Sequence, residues 1–267
     1  MNTVLGRFKI QQDMLTHFSQ VAPSYRLLRQ TDLEPIMFMK EIMDGNVGIE
    51  AADIGCGAGR YCLKFLQHLG ISHLTCIDSS EAMLKEAASC LEAAGMTNFK
   101  TVQSLARDIP LADGSMDCIF CFNAIHHFDC VRFLKKAAMV TRAGGRICVY
   151  TRLGSENAKN IWGRYFPLFL EKENRLYELD ELEKMAGAAG DLNLEHVRQF
   201  RYPRVASLNR LVDLARSAHY STFSLYKGRE LEESIKGFRE NIKKNYNDLK
   251  KIEWSDENTL LVLRKNG

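Results

Sequence analysis

The stretch that decides the fold is "AADIGCGAGR", residues 51–60. A short apolar run leads to an aspartate, Asp53, and glycines then occupy positions 55, 57 and 59. A glycine-rich turn after a buried strand lets backbone N–H groups approach a ligand closely, and that ligand is usually a nucleotide. The stretch therefore predicts a strand, a nucleotide-binding turn and a following helix.

Strand and helix signals alternate outward from this turn over residues 49–202. Apolar runs predict strands at "GIEAADI", "HLTCID", "NFKTVQS", "MDCIFCFN", "GRICVYT", "LEHVRQFRY" and, near the end of the chain, "TLLVLRK". Helical spacing predicts helices between them, among others "RYCLKFLQHLG", closed by Gly70, and "SSEAMLKEAASCLEAAG", closed by Gly95. This alternation predicts an α/β fold, a doubly wound and mostly parallel sheet with helices on both faces.

Two segments fall outside the alternation. Residues 1–48 predict a helical N-terminal cap, and residues 203–257 predict a helical insertion between the sixth and seventh strands. The sheet domain then consists of residues 49–202 and 258–267. One helix of the insertion carries an apolar stripe, made of Leu231, Ile235, Phe238, Ile242, Tyr246 and Leu249.

The composition and charge of the chain limit the classes of protein to which it can belong. A net charge of +3 and a hydrophobic fraction of 46% predict an ordinary soluble chain with no general affinity for phosphate. The first residues lack the apolar core of a secretory signal, and no apolar run reaches the roughly 20 residues of a membrane span. We therefore expect a cytoplasmic protein without membrane contact.

The eight cysteines predict neither disulfides nor a metal site. Five of them, at positions 62, 76, 118, 121 and 148, lie in apolar segments where a free thiol packs as a small hydrophobe. The one C-x-x-C, Cys118 to Cys121, lies on a predicted strand. Side chains three residues apart on a strand point to opposite faces and cannot share one ion.

The turn itself distinguishes between nucleotides. A dinucleotide fold requires G-x-G-x-x-G, but Arg60 occupies the position of the third glycine, and the phosphate-loop pattern is absent. Asp53, just before the turn, suits a cation better than a pyrophosphate. Asp78 ends the second strand, where a carboxylate can accept both ribose hydroxyls. The predicted ligand is a nucleoside with a positive charge and no phosphate, and S-adenosylmethionine fits this description.

Four motifs in this order, "ADIGCGAGR", "CIDSSEAML", "DIPLADGSMDCIFCFNAIHHF" and "RAGGRICVYT", resemble those of the class I S-adenosylmethionine-dependent methyltransferases. The resemblance is greatest to the small-molecule branch that includes the quinone-biosynthesis C-methyltransferases. It implies a Rossmann-like seven-stranded sheet of order 3-2-1-4-5-7-6 with an antiparallel last strand. It also implies methyl transfer to a small-molecule acceptor.

The resemblance assigns cofactor-binding roles to individual residues. The methionine end of the cofactor is assigned to Asp53 and to the backbone of Gly55, Cys56, Gly57 and Gly59. Tyr25 matches a lead-in segment of similar enzymes and could reach the methionine carboxylate, with which Arg29, one helical turn on, could pair. The alternative is that both residues only pack the N-terminal helices. The nucleoside end and the sulfonium are assigned to Asp78 (ribose), Ser79 and Met83 (adenosine), Ala106 (adenine edge, through its N–H) and Asn123 (sulfonium). One position departs from the family pattern, because Leu105 stands where an acid usually receives the adenine amino group.

Catalytic residues are harder to predict, because methyl transfer from a sulfonium depends mainly on proximity and alignment. A general base is needed only for an acceptor that is protonated at neutral pH. His126 and His127, after the fourth strand, are the candidates, and the alternative is that they anchor the loop. The insertion, with residues 1–30, is expected to act as a lid on the acceptor side.

The acceptor pocket is expected from the aromatic segments 160–170 and 219–226, which could instead form a small hydrophobic core. Two other functions compete with the first one. An RNA methyltransferase is suggested by clustered arginines, namely Arg198, Arg201, Arg204, Arg210 and Arg216. The Leu105 departure leaves room for a non-catalytic cofactor-binding protein. The acceptor atom and the oligomeric state are not predicted.

Overall fold

The computed structural model describes residues 30–43 and 48–267. These residues divide into two compact units. The first unit contains the described residues up to Thr151 together with Leu179–Arg198 and Thr259–Gly267. The second unit contains Arg152–Glu178 and Gln199–Asn258.

Seven strands form one sheet in the order β3-β2-β1-β4-β5-β7-β6. The strands are β1 Ile49–Ile54, β2 Ile71–Asp78, β3 Phe99–Gln103, β4 Met116–Phe122, β5 Thr141–Thr151, β6 Leu192–Ala206 and β7 Ile252–Lys265. Strands β1 to β5 pair in parallel, and β7 pairs with β5 in the antiparallel sense. The predicted fold class, strand order and antiparallel last strand are thus confirmed.

The helices of the first unit follow the predicted pattern. They are α1 Glu34–Ile42, α2 Arg60–His68, α3 Glu81–Ala93, α4 Cys130–Val140 and α8 Leu179–Ala189. Helix α3 begins at Ser80, whose hydroxyl accepts the Met83 N–H, and α4 begins at Asp129, whose carboxylate accepts the Arg132 N–H. Such N-caps satisfy a backbone donor that has no partner inside the helix.

The second unit contains short helices followed by one long helix. They are α5 Gly154–Lys159, α6 Ile161–Tyr165, α7 Phe169–Lys172, α9 Leu208–Arg216 and α10 Glu230–Asn245. Part of the predicted apolar stripe lies on α10, where Ile235, Phe238 and Ile242 are buried in the core of this unit, whereas Tyr246 and Leu249 lie beyond the end of the helix. Acidic residues in the first turn of α10 and lysines in its last turn favour the helix dipole.

The compact units differ from the predicted domains, because residues 152–178 and 199–202 lie with the insertion and the described part of residues 1–48 lies with the sheet. The sequence predicts an insertion at residues 203–257 alone, whereas residues 152–178 belong to the same compact unit. Helices α5 to α7 in this segment have only four to six residues each. Such short helices carry no periodic signal, so the sequence did not reveal that they join the insertion.

Strands β5, β6 and β7 are longer than predicted. Strand β5 includes Gly144 and Gly145, residues that ordinarily indicate a turn. The additional residues of β7, 252–258, are mostly polar, and the additional end of β6 contains Pro203, a residue that is rare inside strands. Strand β5 lies entirely in the first unit, whereas β6 and β7 each contribute residues to both compact units.

All eight cysteines are buried free thiols. Within the described residues, no helix is long and apolar enough to cross a bilayer.

Candidate functional site

The glycine turn connects β1 to α2 in a conformation that only glycine adopts easily. The φ angles of Gly55, Gly57 and Gly59 are 74°, 52° and 75°, in the left-handed region that disfavours a Cβ atom. The N–H groups of Gly55 and Cys56 both donate to the carbonyl of Ile77 on β2, at 2.8 and 3.1 Å. The turn is therefore anchored to the neighbouring strand.

The end of β4 packs tightly against the turn. A Cβ atom placed on Gly55 would lie 2.6 Å from Ala124 Cβ and 2.8 Å from Phe128 Cζ. Real Cβ atoms do not make contacts this short. The turn and the segment after β4 therefore meet at the carboxyl ends of the parallel strands, where open α/β sheets bind their ligands.

Asp78, the last residue of β2, faces the turn. Its Oδ2 accepts the Gly57 N–H at 2.9 Å and its Oδ1 accepts the Ser80 N–H at 2.9 Å. Burial raises the pKa of Asp78, and the backbone hydrogen bonds partly oppose this shift. A carboxylate has about four lone-pair positions, so each oxygen keeps the capacity to accept one ligand hydroxyl.

Asp53 lies in the central strand β1, where it pairs in register with Cys76 on β2 and Phe120 on β4. Asp53 is 2% exposed. Oδ2 accepts the Cys62 thiol at 3.2 Å, whereas Oδ1 has no hydrogen-bond partner among the described residues. Burial raises the pKa of Asp53 to about 8. A buried acceptor without a donor is a suitable place for the ammonium group of a ligand.

The residues expected around the adenosine lie at the ends of β2 and β3. The Ser79 carbonyl accepts the Gln103 side chain at 3.0 Å, and Ala106 begins a short 3-10 helix after Leu105. Met83 is only 2% exposed and belongs to the core beneath α3.

The residue predicted to lie beside the sulfonium, Asn123, and the predicted catalytic residues, His126 and His127, follow β4. Asn123 has a φ of 56° and donates its N–H to the Tyr150 carbonyl at 2.7 Å. A 3-10 helix, Ile125–His127, then carries the two imidazoles, with ring centroids 4.1 Å apart. The left-handed Asn123 turns the chain away from the sheet, and this turn brings both imidazoles to the same edge as the glycine turn.

Two predicted residues, Tyr25 and Arg29, lie outside the described residues. The segment that follows them does reach the site edge. Arg60 Nη1 donates to the Gln30 carbonyl and contacts Thr31 Oγ1 at 3.5 Å. Tyr150, at the end of β5, donates its hydroxyl to Asp32 Oδ2 at 3.4 Å.

Arg60 and Asp32 were therefore missed by sequence reasoning as anchors of the N-terminal segment. Arg60 was noted only because it replaces a glycine, and Asp32 follows no motif. An arginine directly after the last glycine was the one available signal. The contacts of both residues depend on tertiary structure, which the local sequence does not encode.

Residues 51–145 match a family model described as a methyltransferase domain. The match includes the glycine turn, Asp78, Asn123 and both histidines of the site, and it ends within β5.

Two relatives show the same similarity over longer segments. An uncharacterised methyltransferase, YcgJ, of Bacillus subtilis (strain 168) is 28% identical over 144 residues, 53% of this chain and 56% of that protein. The ubiquinone/menaquinone biosynthesis C-methyltransferase UbiE of Roseobacter denitrificans is 27% identical over 196 residues, 68% of this chain and 74% of that protein.

Solved structures share the fold. The structure of YcgJ superposes with a TM-score of 0.63 at 18% identity, covering 88% of this chain and 100% of that chain. A phosphoethanolamine N-methyltransferase of Haemonchus contortus, solved with S-adenosylhomocysteine, gives a TM-score of 0.56 at 15% identity, covering 88% of this chain and 52% of that chain.

Fold, site and relatives define the class. The chain is a methyltransferase with the Rossmann-like fold of class I. Its relatives include quinone-biosynthesis C-methyltransferases, so the resemblance inferred from the sequence is confirmed.

Proposed function

We propose that this methyltransferase transfers the cofactor's methyl group to a small-molecule acceptor by in-line displacement. The observation that carries the proposal is the arrangement at the sheet edge. Asp78 keeps acceptor capacity on both oxygens, and the buried Asp53 has one oxygen without a donor among the described residues. Such an arrangement suits a neutral ribose and a cationic amino acid portion rather than a phosphate.

The named relatives support a small-molecule acceptor. They include demethylmenaquinone methyltransferases of Listeria and Geobacillus species and a fungal O-methyltransferase, resE. These names cover methylation at different atoms. We therefore propose an organic small molecule as the acceptor class and leave the acceptor atom to experiment.

Bound S-adenosylmethionine supplies an already activated methyl carbon. The residues of this chain would then bind and align the cofactor. In our proposal Asp53 and the glycine turn hold the methionine portion, while Asp78 holds the ribose. Ser79, Ala106 and Asn123 extend the site along the same edge.

His126 and His127 are the proposed general-base candidates. Their rings lie next to each other on the turn after β4, and imidazole accepts protons near neutral pH. Such a base contributes only when the acceptor carries a proton that must leave. A pH–rate profile that loses its acidic limb in His126→Gln or in His127→Gln would identify which ring acts.

The direct test is transfer of radiolabelled methyl from S-adenosylmethionine to three acceptor classes. Demethylmenaquinone in its reduced form tests carbon, a simple phenol tests oxygen, and a primary amine tests nitrogen. Labelled product from one class, absent in Asp78→Ala, supports the proposal. Cofactor binding without transfer to any of the three would favour the non-catalytic alternative suggested by Leu105.

RNA methylation is the second candidate, and the ion pairs of the second unit argue against it. Arg201 pairs with Glu257 at 3.7 Å, Arg204 with Asp256 at 3.3 Å, and Arg216 with Glu232 at 2.8 Å. Paired guanidinium groups contribute less to phosphate binding than free ones. Binding of total tRNA that weakens steeply with salt would nevertheless establish this function.

A further inference from the structure

Within the described part of the chain, the side chain of Asp53 receives a hydrogen bond from one other side chain, and that side chain is a cysteine. Cys62 Sγ lies 3.2 Å from Asp53 Oδ2 and donates its thiol proton to this oxygen. Cys62 is completely buried, and Asp53 is 2% exposed. Methyl transfer assigns no chemical step to a thiol, so this contact has a role other than in the chemistry itself.

The glycine turn brings Cys62 onto Asp53. Asp53 lies near the end of β1, and Cys62 is the third residue of α2, nine positions further along the chain. The left-handed Gly59 closes the turn, and its carbonyl accepts the Leu63 N–H at 3.1 Å, so the helix begins directly after it. A Cβ atom on Gly59 would lie 3.0 Å from Ala87, so α2 and α3 pack closely here. The first turn of α2, which carries Cys62, is therefore held in place.

The hydrogen bond distinguishes the two oxygens of the carboxyl group. Oδ2 is engaged by the thiol, whereas Oδ1 of Asp53 is buried and has no hydrogen-bond partner among the described residues. A thiol is a weak donor in water, but Cys62 is completely buried, so water does not compete for its proton. The thiol thus fixes which oxygen faces α2 and which one remains for a ligand.

The hydrogen bond also opposes the effect of burial on the ionisation of Asp53. Burial, and to a lesser extent the acidic groups of Cys76 and Asp78 on β2, raise the pKa of Asp53 to about 8, whereas the hydrogen bond from Cys62 lowers it. Cys121 on β4 stays neutral, because burial raises the pKa of its thiol well above its usual range. No lysine or arginine of the described residues pairs with Asp53. The Cys62 thiol is therefore the group that favours the carboxylate.

We propose that Cys62 is a positioning residue of the cofactor-binding site, which holds Oδ2 of Asp53 so that Oδ1 is left for the ammonium group of the ligand, and which stabilises the ionised carboxylate that such a cation prefers. This inference rests on the proposed function, in which Asp53 holds the methionine portion of S-adenosylmethionine. Cys62 acts on the cofactor through Asp53 and takes no part in the methyl transfer.

The proposal predicts a pH dependence with a definite sign. Without the thiol the carboxylate loses a donor, so the pKa of Asp53 rises in Cys62→Ala. At a pH below this pKa, fewer molecules carry the ionised Asp53, and the cationic ligand binds more weakly. At a pH above the pKa of both proteins, nearly every molecule is ionised and the difference disappears. A role of Cys62 in packing alone predicts the same loss of affinity at every pH.

Carbon-13 NMR measures the ionisation of Asp53 without any ligand. The carboxyl signals are followed with pH in protein labelled at aspartate, and the Asp53 signal is the one missing from Asp53→Asn. We expect the midpoint of Cys62→Ala at least about 0.5 pH units above that of the unmodified protein, a threefold change in the ionisation constant. Cys62→Ser keeps a donor, so its midpoint should lie at or below that of the unmodified protein.

Cys118→Ala is the matched control. Cys118 on β4 is as completely buried as Cys62, but its Sγ atom lies 3.9 Å from that of Cys148 on β5, and it makes no hydrogen bond to Asp53. The change removes one buried sulfur from the same sheet. It should leave the midpoint of Asp53 where it is in the unmodified protein.

Calorimetry with S-adenosylhomocysteine gives the second readout. Cys62→Ala should bind about threefold more weakly than the unmodified protein near pH 6.5, and within about 1.5-fold of it near pH 9. The ammonium group of the ligand itself titrates identically in both experiments, so the ratio of the two Kd values does not depend on it.

Three results would overturn the proposal: equal midpoints in Cys62→Ala and the unmodified protein, equally raised midpoints in Cys62→Ala and Cys62→Ser, or a ratio of Kd values that is the same at both pH values. Should Cys62→Ala not fold, Cys62→Ser decides, since a midpoint above that of the unmodified protein contradicts the role of the donor. Failure of the unmodified protein to bind S-adenosylhomocysteine would refute the proposed function instead, and the carbon-13 titration would still show whether Cys62 acts on Asp53.

Discussion

The glycine turn of the first unit and the aromatic core of the second unit differ in backbone strain and in how completely their atoms are packed and paired. The turn holds three left-handed glycines and a buried carboxyl oxygen that has no donor among the described residues. The aromatic core, centred on Trp162 and Phe223, contains side chains that fill one another's space. Even its polar atoms are engaged, since the Tyr226 hydroxyl donates to the Pro167 carbonyl at 2.7 Å. The turn thus combines the capacity to bind a ligand with a strained backbone, whereas the aromatic core contributes stability through close packing.

The largest expected effect is on the stability of the aromatic core. Phe223 is 1% exposed and contacts the rings of Trp162, Phe166 and Phe169 at centroid distances of 5.1 to 5.3 Å. Phe223→Ala should lower the free energy of unfolding by about 3–5 kcal/mol, because it leaves a cavity in a packed core. Denaturant unfolding measures this change.

Val205 provides the control in the same unit, because it is 58% exposed. Val205→Ala should change the free energy of unfolding by no more than about 0.5 kcal/mol. An equally small effect of Phe223→Ala would contradict the assignment of this aromatic segment to the core. It would favour the other prediction, that the segment serves the acceptor.

The second prediction concerns the glycine turn. It distinguishes the energetic cost of placing alanine in a left-handed backbone conformation from the additional cost of a steric clash of its Cβ atom. Gly55 and Gly95 both have a φ of 74°, but only a Cβ on Gly55 would meet other atoms, at 2.6 and 2.8 Å. Gly95→Ala should cost about 1–2 kcal/mol for the left-handed backbone alone. Gly55→Ala should cost about 1–3 kcal/mol more, because the added methyl overpacks the site.

Thermal unfolding and S-adenosylhomocysteine binding measured on both glycine variants check this comparison. Gly95→Ala should bind the ligand as the unmodified protein does, whereas Gly55→Ala should bind it poorly. Equal effects of the two changes on stability and binding would mean that the segment after β4 does not support the turn.

The contrast also explains what the sequence could predict. The positions of the strands, the turn and Asp78 follow from apolar periodicity and glycine spacing, which are local signals, whereas the order of the strands is implied by the family resemblance. The aromatic segments at 160–170 and 219–226 were predicted as a pocket or as a core, and packing decides for the core in the case of Trp162, Phe166, Phe169 and Phe223. No local pattern distinguishes those two roles, since both require aromatic side chains.

Tertiary contacts account for what the sequence did not reveal. Cys62 and Cys76 each read as small core hydrophobes, and nothing in their spacing indicates that they meet Asp53. Residues 152–178 have no periodic pattern, and their place with the insertion depends on buried side chains such as Ile161 and Trp162. The lid remains a prediction, because its N-terminal part lies largely outside the described residues.

The third prediction tests the acceptor capacity of Asp78. Asp78→Ala should weaken S-adenosylhomocysteine binding at least tenfold, because a hydrogen bond to a charged group contributes about 1.5–3 kcal/mol. Asp113→Ala is the control, since its carboxylate is exposed and makes only a long ion pair with Lys136. An unchanged Kd in folded Asp78→Ala would refute the ribose assignment.

The smallest expected effect is a pH dependence of cofactor binding that depends on Asp53. Its pKa in the free protein is about 8 because it is buried, so most molecules carry a neutral Asp53 at pH 6.5. The ammonium group of the ligand favours the ionised carboxylate and lowers this pKa in the complex. Affinity for S-adenosylhomocysteine should therefore rise with pH below 8 and level off above it. Between pH 6.5 and 7.5 the affinity should rise about three- to tenfold, within the 1.4 kcal/mol of one pKa unit.

Calorimetry over this range should give a flat profile for Asp53→Asn, which cannot ionise. The same slope in Asp53→Asn would assign the titration to another group, and a flat profile in the unmodified protein would mean that no cation binds beside Asp53.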